Sequence, residues 1–185
     1  IIATERKDGT IDASREIIIA AKRRLGNRQA AAYLPEIDRV RKDTYRNKHE
    51  VIYSMPYYDK SPMVSEDKYY ELLRRSEGMD RREIHKMMED FYASAGHDFP
   101  DYRVTLEIEE AILKSADEMG IRCEFDRRDR YEDTITLINP FNMNVDRGRI
   151  IFRDPIIAYA DVGYILSKFN SFQHSSRFLN ACLGR

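Results

Sequence analysis

The chain has no tryptophan, and its 185 residues include only two cysteines, eight glycines and six prolines. Cys123 and Cys182 are far apart in sequence, so they form no disulfide framework. They fit a reducing compartment, and a cytoplasmic location is expected. No two glycines lie within four residues of each other, which excludes a Gly-rich phosphate loop. Gly-x-Ser-x-Gly does not occur either, so the nucleophile elbow of the α/β-hydrolases is out. No apolar run approaches the roughly 18 residues of a membrane-spanning helix. The first apolar patch, Ile17 to Ala21, is short and flanked by charge, and no cleavable leader is expected.

What is abundant is charge, at 34% of residues against roughly a quarter in an average domain. The net charge of -1 conceals an uneven distribution. Residues 1–48 hold 12 Lys/Arg against 7 Asp/Glu, whereas residues 49–120 hold 9 against 17. Arg outnumbers Lys by 22 to 9. Arg grips carboxylates and phosphates in a planar fork, so this balance suits recognition. Either the basic end and the acidic middle satisfy each other, or one of them faces a partner.

Periodicity and turn chemistry divide the chain into elements. The stretch to Gly9 reads as a fraying end. A helix capped by Asp12 or Ser14 runs to Leu25 with Gly26-Asn27 as its stop, and Lys22, Arg23 and Arg24 complement its negative end. Tyr33, Ile37 and Val40 at helical spacing predict a second helical segment from Arg28 to Asn47, interrupted at Pro35. Residues 49–54 read as a short strand, and Met55 to Pro62 as a loop with paired tyrosines. Helices are expected from Ser65, from Asp80 with Glu83 as a capping box, and from Thr105 to Gly120. Residues 121–125 and 134–138 alternate as the two strands of a hairpin, and 149–153 as a third strand. Asp154-Pro155 reads as a helix start, with helices over 156–168 and 172–183. The expected fold is α+β, predominantly helical, with a small antiparallel sheet (hairpin 121–138 plus strand 149–153) covered by helices. The divisions expected are a basic helical segment over 1–54 and an α+β domain over 55–185, with a single domain as the alternative.

Four groups of residues could carry chemistry. The first is the basic stretch from Lys22 to Lys48, with Lys22, Arg23, Arg24, Arg28, Arg41, Lys42 and Arg46 as candidate contacts to a phosphate backbone or an acidic surface. Within it, Gly26-Asn27 followed by Ala30-Ala31-Ala32-Tyr33-Leu34 faintly resembles the helix-turn-helix of Fis-like DNA-binding proteins. It departs where the Ala pair stands one residue too close to Leu34, where Pro35 replaces a small turn residue, and where no recognition helix follows, so the match is read as coincidental. The second group, Tyr57 and Tyr58, offers rings suited to an interface. The third, Arg127, Arg128 and Arg130 with Arg147 and Arg149, sits on turns that could clamp an anion. The fourth is His85, Glu89, His97 and Asp98, which together could ligate zinc, manganese or iron. No specific metal motif accompanies that last group.

The resulting expectation is a binding or assembly protein rather than an enzyme, with no cofactor and no membrane contact. A protein partner or a homo-oligomer is favoured over nucleic acid, which would engage residues 22–48. The alternative is a metal-dependent nuclease or phosphodiesterase built on the fourth group and the Arg-rich turns.

Overall fold

In a computed structural model the chain is described over residues 1–125 and 139–170. These residues form nine strands, five α-helices and two 3-10 turns. The fold is mixed α+β, but not predominantly helical around one small sheet. The strands make three antiparallel three-stranded sheets, ordered β1-β4-β3, β2-β9-β6 and β5-β7-β8. The first sheet joins β1 (Ile2–Thr4), β4 (Lys48–Ser54) and β3 (Asp38–Tyr45). The second joins β2 (Thr10–Asp12), β9 (Ile156–Asp161) and β6 (Cys123–Phe125). The third joins β5 (Asp59–Lys60), β7 (Met143–Asp146) and β8 (Arg149–Phe152).

Three of the expected elements are overturned. The N-terminal end is paired rather than frayed: β1 lies against β4, and the Ile1 amine donates to the Tyr53 carbonyl at 2.8 Å. The second helical segment is absent. Residues Gln29–Tyr33 form a 3-10 turn, and the chain then enters strand β3. Pro35 stops helical propagation, and Arg46-Asn47, both at positive φ (50° and 62°), reverse the chain as a two-residue turn into β4. The helix expected over 156–168 starts six residues late. Ile156 and Ala158 are buried while Ile157 and Tyr159 are exposed, a period of two that makes β9 the central strand of its sheet. Asp154 does not cap a helix; Arg15 bridges its carboxylate (2.9 Å) to that of Asp12 (2.6 Å). Strand 134–138 and helix 172–183 lie outside the described residues.

Two capped helices begin where the sequence puts them, and the first helix ends at its expected stop although its N-cap is Ala13, without a side-chain cap. Helix α1 (Ser14–Leu25) ends at Gly26, whose φ of 58° needs a residue without a Cβ. Helix α2 (Glu66–Ser76) is capped by Ser65, and α3 (Arg81–Ser94) has the full capping box of Asp80 and Glu83. Helix α4 (Tyr102–Glu118) begins earlier than expected because Asp101 accepts the Val104 N–H at 2.8 Å. Helix α5 is Val162–Asn170. Among the described residues no helix is long and apolar enough to cross a membrane.

One contiguous core joins these elements. Ile17 and Ile18 of α1, Tyr53 of β4, Ile108 and Ile112 of α4, Phe152 of β8 and Ile156 of β9 are all buried in it. Residues from both sides of the 54/55 junction therefore share a single buried cluster.

Candidate functional site

The β3–β4 hairpin leaves this core as an arm. Near its base, Val51 and Tyr53 are buried, but from Thr44 to Lys48 every residue is exposed. The pairing jumps from Arg39↔Tyr53 to Arg41↔Ile52, so Val40 is an extra residue in β3. The bulge is what lets Arg39 share a face with Tyr53 and reach the core. There it grips Glu16, a fully buried carboxylate of α1, through Nε at 2.9 and 3.0 Å and through Nη2. The Tyr53 hydroxyl donates to the same carboxylate at 3.0 Å. Burial, and then the Glu16 charge beside it, push the Tyr53 phenol far above its ordinary value. The hydrogen bond to Glu16 likewise raises Arg39. Neither group ionises differently at neutral pH; the cluster is a fixed anchor between arm and helix.

Beyond the anchor, the register assigns the cations to both faces. Lys42 stands opposite Val51 and so lies on the inner face, while Arg41, opposite Ile52, and Lys48, opposite Tyr45, lie on the outer one. Arg46 occupies the turn, with its guanidinium 5.1 Å from the centre of the Tyr45 ring. Arg41 pairs with Asp43, whose carboxyl it holds below the usual range. Over residues 41–48 there are four cations to one carboxylate. Tyr57, 88% exposed, follows the arm's second strand at its base.

Two of the other basic candidates pair with carboxylates of the chain. Lys22 reaches Glu36 (2.7 Å) and the Leu34 carbonyl (2.6 Å), and Arg24 pairs with Glu118 at the end of α4. Glu110 on the same helix is lowered chiefly by Lys114 and further by Arg28 and Arg24. The basic end of α1 thus lies against the acidic middle of the chain. Arg23 and Arg28 are exposed. Tyr58 is buried, and its hydroxyl accepts the Glu36 N–H at 3.0 Å. The residues resembling a helix-turn-helix form the 3-10 turn and its approach to β3, with no second helix.

The remaining groups separate. Arg127, Arg128 and Arg130 lie outside the described residues. Arg147 is exposed in the β7–β8 turn, and Arg149 pairs with Asp98 at 3.2 Å, whose carboxylate also accepts the Tyr33 hydroxyl at 3.2 Å. His97 Nδ1 is buried and lacks a hydrogen-bond partner. His85 is buried between the rings of Phe99 and Tyr102 and meets Thr105 Oγ1 at 2.9 Å. Thr105 donates its own proton to the Asp101 carbonyl at 3.0 Å, so His85 Nε2 carries the hydrogen and donates. Burial pushes the His85 pKa down. Glu89 receives Lys86 at 3.4 Å. An open groove of about 870 Å³ runs along α3 past Met79, His85, Phe91 and Tyr102. Among the described residues no group of three or more His, Cys, Asp or Glu is placed to hold a metal ion. Cys123 is half-buried and its thiol is pushed up to about 11, so it is not a thiolate at neutral pH. Glu109 of α4 is buried and gripped by Arg81.

No family model matches the chain, and no curated protein or solved structure is significantly similar to it.

Proposed function

We propose that this protein works by binding a macromolecule with an anionic surface, and that the β3–β4 arm is its contact element. The observation that carries this reading is the arm's composition at its exposed end: Arg41, Lys42, Arg46 and Lys48 against Asp43, with Tyr45 56% exposed among them. Exposed Arg and aromatic side chains on an anchored element are of the kinds enriched at recognition surfaces, and a local excess of one charge sign steers an oppositely charged partner. A second copy of the chain adding to the edge of β3 is disfavoured, because the bulge and the run of charged residues are the features that blunt strand edges.

The test is retention of the full chain on immobilised heparin at pH 7 and low salt. A chain of net charge -1 with evenly mixed charges passes through, whereas a localised basic arm holds it. The quadruple variant Arg41→Gln/Lys42→Gln/Arg46→Gln/Lys48→Gln, shown folded by circular dichroism, is expected in the flow-through. Absence of retention, or retention unaltered in the variant, defeats the reading.

A further inference from the structure

Along α4, Arg103, Leu106, Glu110, Leu113 and Asp117 are all exposed. Their spacing of three, four, three and four residues is that of a coiled-coil seam. The other side of the helix, with Ile108, Ala111, Ile112 and Ala116, is buried in the core. Leu106 and Leu113, 37% and 47% exposed, lie two turns apart on the outward seam, and they are the exposed leucines among the described residues. We infer that this face, separate from the arm, is a contact between two copies of the chain, with a twofold axis running their α4 helices antiparallel.

The charges select both the partner and its direction. With Leu106 set against Leu113 of a second copy, Arg103 falls one residue, about 1.5 Å, from the level of the second copy's Asp117. Lys114 falls two residues, about 3 Å, from the level of its Glu107. The axis repeats both pairs, so opposite charges flank the leucines at each end. A parallel pairing would instead set Arg103 against Arg103 and Asp117 against Asp117. Arg103 is placed to turn outward: its side chain is 90% exposed, and its own-chain partner Glu107 stands at 3.8 Å. Lys114 holds Glu110 at 2.5 Å and keeps further hydrogens for a second carboxylate. A partner of one charge sign meets its own sign somewhere along this strip, whereas a second copy reversed end for end meets opposites. Glu110 lies nearest the axis and approaches its own copy there, a cost that Lys114 offsets. The helix has 17 residues and is about 25 Å long, a strip well short of the roughly 800 Å² per partner in a standard interface. The association is therefore weak and set by concentration.

Sedimentation equilibrium of the full chain from about 5 to about 500 µM tests this, with a dissociation constant on the order of 100 µM expected. The average mass should climb from that of one chain toward that of two and no further, as a closed twofold requires. Each variant is first verified as folded by circular dichroism. Leu106→Lys/Leu113→Lys is expected to stay monomeric throughout. Glu110→Leu takes a carboxylate off the axis and is expected to tighten association about 10-fold. Arg103→Glu should weaken it, and adding Asp117→Arg to the same chain should restore it, because the exchanged charges face each other again. A wild-type chain still monomeric at about 500 µM overturns the inference. So does association that the leucine variant leaves unchanged, which puts the contact elsewhere, or a mass rising beyond two chains. Failure of Asp117→Arg to rescue Arg103→Glu overturns the antiparallel pairing.

Discussion

Arg39 reaches out of a β-bulge to clasp the buried carboxylate of Glu16, joining the root of the arm to the first helix. The pair is nearly dry: the Glu16 side chain is 0% exposed and that of Arg39 is 12% exposed. Removing one partner strands the other charge without solvent. Arg39→Met is therefore expected to cost about 3–5 kcal/mol in urea unfolding, whereas exchanging both groups for apolar ones of similar size recovers most of that loss. The double variant Glu16→Met/Arg39→Met tests the second half. A single Arg39→Met variant within about 1 kcal/mol of wild type would show that the clasp does not hold the arm.

His85 gives the fold a pH dependence with a definite sign. Its ordinary pKa of 6.5 is lowered first by burial, against the opposing pull of Glu89, Asp101 and Glu109 and with help from Arg81. The unfolded chain thus binds a proton that the folded chain refuses. This contribution to stability is complete above about pH 6.5 and is lost as pH falls from there toward the lowered folded value. Stability measured by urea unfolding between pH 7.5 and about 5 should fall with a slope that His85→Gln flattens. An unchanged slope in the variant would mean that other groups carry the acid sensitivity.

The same local signals that locate some elements misplace others. Caps at Ser65 and Asp80 locate two helices because each side chain satisfies its own backbone, a transaction confined to a few residues, whereas periodicity starts α4 at Thr105 and misses the Asp101 cap. Residues 28–47 mislead because Tyr33, Ile37 and Val40 imitate a helical stripe, yet Val40 is the exposed bulge residue and Tyr33 is buried through the 3-10 turn. The bulge exists to bring Arg39 to Glu16, a partner 23 positions away, and no periodicity reports a bond of that range. The pair Arg46-Asn47 between β-branched or aromatic and charged residues was the available hint of a hairpin. Asp154-Pro155 has the local chemistry of a helix start, but Arg15 claims the carboxylate and β2 and β6 claim the strand. Charge at the candidate site was legible by counting. Which of those charges answer each other depended on α1 lying along α4, which composition does not encode.

The arm's turn separates order from charge. Arg46 holds a left-handed conformation that costs a residue with a Cβ about 1–2 kcal/mol. Arg46→Asn combined with Asn47→Gly supplies the sequence preferred in a two-residue hairpin turn. Hydrogen exchange at the arm amides should slow about 5-fold or more, since about 1 kcal/mol of local opening is at stake. The same variant removes one cation, so it should leave heparin at lower salt than the wild type although the arm is better ordered. Exchange that is unchanged or faster would show that the turn does not limit the arm's opening.

Lys22 and Arg24 serve as the control that the arm requires. Both belong to the basic stretch of the sequence, yet both are answered by carboxylates of their own chain, Glu36 and Glu118. Those carboxylates are 71% and 66% exposed, so solvent screens the pairs and each is worth about 0–1 kcal/mol. Lys22→Gln/Arg24→Gln should therefore shift unfolding by no more than about 1–2 kcal/mol. It should leave heparin retention intact, while the arm variants, which remove the same kind of charge, reduce it. If the two sets of variants weaken binding equally, the net charge of the first 48 residues governs the contact and the arm has no special place in it.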